Sequence, residues 1–486
     1  MRFDWGKLAS EAVLALMFLA YMTVFCCIVF SEQNAFWYGN FDLGIIDQGI
    51  WLISRFEPPF MTTRGLHIFG DHAGFINLLV APVFWVWDDT KALLVAHTFA
   101  FASGVVPVYL IARRRFESSW VPLVFSFAYI LFPAIHFGNL DSGYHAESWT
   151  VPLILFSYLF LVQGRLRLYF ASVFLALTCK EDVFAAIFLF GLYVAIKHNL
   201  RVGLASSVMA LAYMLVVTGV LMPYFNDRGA FYVSRTFGSF GDTPIEMLSS
   251  ATNASFMAGR LDNGVNREYV RGLFAPTGYL VVLEPLAVAS SATLWVNLLQ
   301  DWGYAHDIRY HYSTPIIPFI FIALIEGLFR FRKRRLVLAV ILAYLAVSSV
   351  YSNYYYGPDQ SSLRNVGRIV DTIRTCDEVP FMQAQVRSMI GTIPEDASVS
   401  STYNLIPQMS HRRRVYMFPN PFRVSLFGID DGGIPQDNYT DYVILDRVLV
   451  YDEEDRFQTA SRLVGEWNYT LVGSAGTVDL YRRHLR

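Results

Sequence analysis

The sequence predicts an α-helical protein that crosses a membrane about eleven times and ends in a small water-soluble α/β domain. Three observations carry that prediction. The 486 residues are 54% apolar and 16% aromatic but only 16% charged, whereas soluble domains hold about a quarter. Mean hydropathy is +0.38, and the apolar residues fall in blocks long enough to need lipid as their solvent. Charge is also uneven: 31 of the 135 residues from Ser352 onward are charged, against 47 of the first 351. The chain therefore divides into a membrane part, residues 1–351, and a soluble tail, residues 352–486. A net charge of −2 offers no basic face for nucleic acid. Cys26, Cys27, Cys179 and Cys376 fit neither a disulfide framework nor a metal spacing.

Each span follows from its run length and from where the cations fall. The first apolar run, 11–30, follows Arg2 and Lys7 and lacks a small-residue cleavage site, so it reads as an uncleaved anchor with the N-terminus in the cytoplasm. The run 73–87 is shorter than the ~20 residues that cross a bilayer and is expected to lie at the interface. The next span, 91–112, then delivers Arg113, Arg114 and Arg115 to the inside. Runs 120–137 and 148–163 go out and back to Arg165 and Arg167. Residues 168–197 form a hairpin with Lys180, Glu181 and Asp182 at its outer tip, and 202–222 leads out into a polar loop over 223–270. The stretch 271–299, interrupted by Pro276 and Pro285, is read as a short hairpin. The span 313–329 reaches the inside cluster Arg330 to Arg335, and 336–351 puts the tail outside.

In the tail, residues 397–401, 414–418 and 441–445 read as strands and 453–464 as a helix, and 471–481 as a terminal hairpin around Gly473 and Gly476. Asn253, Asn438 and Asn468 begin three-residue glycosylation patterns on the outer side.

On this topology the ionisable clusters converge on one face. The first loop, 31–90, carries Asp42 and Asp47, then Arg64, His67, Asp71 and His72; the second carries Asp141, His145 and Glu147. The hairpin tip adds Lys180, Glu181 and Asp182, and a late loop adds His306, Asp307, Arg309, His311 and Tyr312. Loop charges are ordinarily solvated. Asp42 and Asp47 differ, because they are set among Phe41, Leu43, Ile45, Ile46 and Ile50, and the Lys180-Glu181-Asp182 run interrupts an apolar hairpin. A charge in such surroundings is costly unless it is paired or functional. His67, His72 and Asp141 are candidate ligands of a divalent metal, with Mg²⁺ or Mn²⁺ ahead of zinc because no zinc spacing is present. The sequence has no phosphate-binding GxxxxGK[ST] loop, no dinucleotide-binding glycine run and no GxSxG elbow.

Several segments together resemble a family: FDLGIIDQGIW, GLHIFGDHAGFINLLVAPVF, DSGYHAES, CKED, RYHYSTPIIPF and ASVSSTYNLIPQMSHRRRVYMFP, in this order between Phe41 and Pro419. They are similar to the DUF2079 family of prokaryotic membrane proteins, and through it to the GT-C superfamily of integral membrane glycosyltransferases. Where that family has an aspartate-phenylalanine-histidine-proline-glutamate run, this chain has Gly143, Tyr144, His145, Ala146 and Glu147. The resemblance implies a catalytic aspartate in the first outer loop, a sugar donor carried on a polyprenyl phosphate, and a glycan, lipid or protein acceptor. Asp42 is then the first candidate base and Asp47 the second. Lys180, Arg309 and His311 are candidates for phosphate contacts, Asp141, His145 and Glu147 for acceptor or metal, and the loop 223–270, with Tyr224, Tyr232, Arg235 and Arg260, for a cover over the site. A transporter would instead place its charges at the bilayer midplane, and a membrane sensor or assembly protein would need no base.

Overall fold

The computed structural model describes residues 5–226, 236–241, 243–423, 439–451 and 454–484; Tyr232, Arg235 and Asn438 lie outside them. Among the described residues, five helices are long and apolar enough to cross a membrane: Trp5–Asn34, Thr90–Arg115, Leu200–Phe225, His311–Phe329 and Arg335–Tyr356. A sixth span forms if Val121–Ile130 and Pro133–Leu140 count as one, bent by 42°. Pro133 explains the bend, because a proline ring pushes the residue before it out of the helical region.

Other expected spans are shorter than a bilayer. Helices Thr150–Val162, Leu166–Leu177 and Val183–Lys197 hold 13, 12 and 15 residues, so each reaches only about 18–22 Å at 1.5 Å per residue. The hairpin expected over 271–299 is not made of two spanning helices. Pro276, Pro285 and the Ser290-Ser291 pair cut it into short turns and the helices Pro285–Ala289 and Ala292–Leu299. The parity of crossings is unaffected, since two spans or none return the chain to the same side. Segment 73–87 does stay short: it is two single helical turns, Asn77–Val80 and Val83–Val86, separated at Pro82.

In the tail, every expected strand forms. Strands β1 (Phe60–Met61) and β2 (Leu66–His67) make a small antiparallel pair in the first loop. The tail sheet is built of β3 (Val399–Ser401), β4 (Val415–Met417), β5 (Tyr442–Asp446), β6 (Tyr469–Ala475) and β7 (Val478–Arg483), ordered β4-β3-β5-β7-β6. β3 runs parallel to β4 and β5, while β6 and β7 form the closing hairpin. One face of this sheet buries Val399, Val415, Ile444 and Leu480 with Val386 and Ile390 of helix Phe381–Ile390, and the first-loop residue Phe36 belongs to that same core.

A seam of hydrogen bonds continues this union of tail and first loop. Gln48 Nε2 donates to the Arg412 carbonyl at 3.1 Å, the Thr62 hydroxyl donates to the Val415 carbonyl at 2.6 Å, and the Val415 amide donates back to Thr62 at 3.0 Å. These bonds lay the tail segment 403–415 along the first loop and so fix the wall on which Asp42 stands.

Candidate active site

The first loop reaches the site through an irregular turn over Asn40–Gly44. Phe41 is extended at φ −63°, ψ 129°, and Asp42 sits at φ 64°, ψ −77°, a combination belonging to the rare, strained form of the γ-turn. A side chain held there costs of order 1–3 kcal/mol and persists only when its surroundings over-determine it. The surroundings here are tight. Leu43 is fully buried, and Gly143, at φ +108°, approaches so closely that a Cβ on it would lie 2.7 Å from the Leu43 Cβ.

Around Asp42 the second loop, the hairpin tip and the late loop meet. Asp42 Oδ2 lies 4.0 Å from Nε2 of His145, whose ring stacks on His311 with centroids 3.7 Å apart. Asp141 Oδ2 accepts from the His311 amide at 2.8 Å and from His311 Nδ1 at 2.9 Å, which fixes the ring with its Nε2 3.9 Å from Glu147 Oε1. Glu147 Oε1 also accepts from Lys180 Nζ at 2.5 Å. Helix Thr150–Val162 thus has Glu147 just before its start, and the tight connection between Leu166–Leu177 and Val183–Lys197 carries Lys180 to the same point.

Burial pushes the Asp42 carboxyl up to about 6; Asp141 and Glu147 push it the same way, while His311 and Lys180 pull it down. Asp141 is held the other way. Burial would raise it, but its bonds to His311 keep it at about 2. Burial and the neighbouring His311 keep His145 neutral, well below the usual imidazole range. Burial would neutralise Lys180 too, but Glu147, Asp182 and Glu181 hold it charged. One site therefore combines a carboxyl poised near neutral pH, an ionised carboxylate, a neutral imidazole and a cation. Such divergence among neighbouring titratable groups is what acid–base chemistry requires.

Of the residues singled out from the sequence, the structure brings Asp42, Asp141, His145, Glu147, Lys180 and His311 together, with the Tyr312 ring 6.0 Å from Lys180 Nζ. Glu181 faces the other way: it pairs with His72 Nδ1 at 2.8 Å and accepts from the Ala73 amide at 3.0 Å, pinning the interfacial segment. Asp182 is exposed at the start of Val183–Lys197. Arg309 pairs with Asp307 at the surface, and Arg260 is bonded to Asp301 and the carbonyls of Leu299 and Gln300. Tyr224 is exposed.

Three candidates stand elsewhere. Asp47 is fully buried against the tail, where Thr90, Ser410 and His411 share its Oδ2. His67 and His72 flank the single-turn helix Ile68–Asp71 and point apart: His67 stacks on Phe225 at 4.1 Å and caps the helix, while His72 turns to Glu181. Among the described residues, the group able to hold a metal is Asp141, His145 and His311, with donor atoms within 4.8 Å of one another. Of His67, His72 and Asp141, only Asp141 belongs to it; it is joined by His145, a candidate for acceptor or metal, and by His311, which was expected at the phosphate. Sequence reasoning gave no role to Tyr403, Ser410 and His411 of the tail, although STYNLIPQMSHRRR stood out as a motif; its contacts are with residues more than 300 positions away.

The family described as "Predicted membrane protein (DUF2079)" matches residues 33–475. No curated protein matches the chain. Among solved structures, ArnT from Cupriavidus metallidurans bound to undecaprenyl phosphate superposes with a TM-score of 0.56 at 10% identity, over 96% of this chain and 97% of that one. The Archaeoglobus fulgidus oligosaccharyltransferase in complex with Zn and sulfate gives 0.43 at 13% identity, over 95% of this chain and 73% of that one.

Proposed function

Since the chain belongs to the DUF2079 family of predicted membrane proteins and has the fold of ArnT, a GT-C-type architecture, we propose that it is an integral membrane glycosyltransferase. It moves a sugar from a polyprenyl phosphate to an acceptor hydroxyl on a glycan, lipid or protein. The observation that carries this reading is the Asp42 carboxyl, raised to about 6 and set 4.0 Å from His145 beside a charged lysine. Asp42 takes the acceptor proton as the new glycosidic bond forms, and the bond from the anomeric carbon to the phosphate oxygen breaks. Lys180 and His311 offset the charge that gathers on the leaving polyprenyl phosphate.

The residues 1–351 form the membrane part and 352–486 the extracytoplasmic domain, with the N-terminus in the cytoplasm. The layout of cations supports this orientation. Helices Thr90–Arg115, Thr150–Val162 and Val183–Lys197 carry basic residues at or just beyond one end, and the last two begin beside the cluster.

A metal fits the residues present. His145 Nε2 is buried without a hydrogen-bond partner and looks toward two carboxylates, and two imidazoles with one carboxylate suit Mn²⁺ or Zn²⁺ better than Mg²⁺. Asp141, His145 and His311 would hold the ion, which would then supply, in place of a charged His311, positive charge beside the departing phosphate.

The test is Asp42→Asn in the purified protein, which keeps the shape and removes the base. Transfer from a polyprenyl-phosphate sugar falls by about 10²–10⁴-fold while donor binding is unchanged. Wild-type turnover in that variant ends the proposal.

A further inference from the structure

The strained turn at Asp42 is held from one side by the tail. Gly39 packs face to face with the ring of Tyr403: a Cβ on Gly39 would lie 1.8 Å from Tyr403 Cε1. The Tyr403 phenol oxygen accepts a hydrogen bond from the Phe41 backbone N–H and lies close enough to feel the Asp42 charge. One turn further along the same tail segment, Ile406 closes on Gly44, where a Cβ would lie 2.8 Å from Ile406 Cγ2. Tyr403 and Ile406 therefore bracket Asn40–Gly44 at the two glycines that flank it, and the absence of side chains at Gly39 and Gly44 is what admits them. An aspartate tolerates φ 64° in the left-handed helical region, but ψ −77° lies outside that region, so the conformation is imposed from outside the segment.

The geometry points to Tyr403 as a positioning residue for Asp42: its ring, seated on Gly39, and its phenol, bonded to the Phe41 amide, lock the turn that aims the Asp42 carboxyl at His145. The soluble domain is then part of the catalytic unit, and the site is incomplete without it. This inference rests on Asp42 being the base, but its test does not use transfer at all.

Amide hydrogen exchange over residues 39–46, read by peptide mass spectrometry on the full-length protein in lipid nanodiscs, reports how firmly the turn is held. Tyr403→Phe keeps the ring and removes the oxygen that accepts from Phe41; Gly39→Ala displaces the ring itself. Either change releases the turn, and exchange over 39–46 speeds by about tenfold while the peptides of the tail sheet exchange as in the wild type. Unchanged exchange over 39–46 in both folded variants overturns the inference, even with a lower melting temperature, because Tyr403 would then serve packing alone. Failure of both variants to fold overturns it too, since the residue would then be needed for assembly of the domain rather than for aiming one side chain. If Asp42 is not the base, transfer survives Asp42→Asn while exchange over 39–46 still speeds in the Tyr403 and Gly39 variants, so the two claims fail separately.

Discussion

Asp42 and Asp47 stand five residues apart in one apolar segment, and the structure gives them opposite treatment. Asp42 lies on a strained turn with about a fifth of its side chain open, no hydrogen bond from a neighbouring side chain among the described residues, and a carboxyl raised to about 6. Asp47 lies on the regular helix Ile45–Ser54, has no exposed surface, and has its Oδ2 taken by Thr90, Ser410 and His411. A carboxylate with no exposed surface and one oxygen shared among three side chains is out of a substrate's reach, whereas one that is partly open, desolvated and unbonded can take a proton. On the proposed function, the comparison gives chemistry to Asp42 and assembly to Asp47. Because Asp47 bonds to the tail while Tyr403 of the tail braces the Asp42 turn, the second aspartate secures the surface that positions the first.

The largest effect expected from breaking this division is on stability. Asp47→Asn removes one of the two carboxylates paired with the partly buried His411 and leaves it Asp88, at a cost of about 1–3 kcal/mol. Thermal unfolding in detergent should show that loss, with the turnover of the surviving folded protein close to wild type. An Asp47→Asn protein as stable as wild type but without activity would reverse the two roles.

A smaller, pH-linked effect sharpens the comparison. Burial lowers the His411 pKa, but Asp47 and Asp88 overcome it and raise it to about 9. A group raised in this way contributes its full stability below its ordinary ~6.5, and that contribution is lost as pH rises through about 9. Tail docking, read by protease protection of the segment after Tyr356, should weaken over that window. His72, raised to about 9 by Glu181, adds a loss of the same sign at the hairpin tip, so His411→Gln should remove only the part that belongs to the tail.

The smallest effect belongs to a residue that the sequence placed beside the phosphate. Arg309 is exposed and paired with Asp307 across the surface, so Arg309→Ala should change donor binding less than twofold and stability by less than about 0.5 kcal/mol. A tenfold loss of binding would show that the late loop closes over the donor.

The long membrane helices and the tail strands were legible in the sequence because run length, period-two alternation and basic ends are local signals, whereas three further expected spans form helices of 13, 12 and 15 residues, short of a bilayer. The region 271–299 was less so: its hydropathy suits a hairpin, but two prolines and a serine pair cut it into turns too short to cross. Six members of the site were legible as unusual charges in an apolar chain. What separates Asp42 from Asp47 was not, since both have the same apolar neighbours and differ through contacts with Tyr403, Ser410 and His411, far away in sequence. His67 and His72 misled as a pair because five-residue spacing suggests proximity, while the one-turn helix between them turns their rings apart.

The most direct test is the pH dependence of single-turnover sugar transfer, measured side by side for the wild type and Asp47→Asn. If Asp42 is the base, both rates rise with pH as one carboxyl ionises, with a shared midpoint near 6 and a plateau above it. A wild-type rate that is flat between pH 5 and 8, or a midpoint that disappears when Asp47 is replaced in a protein that still folds, would contradict the account.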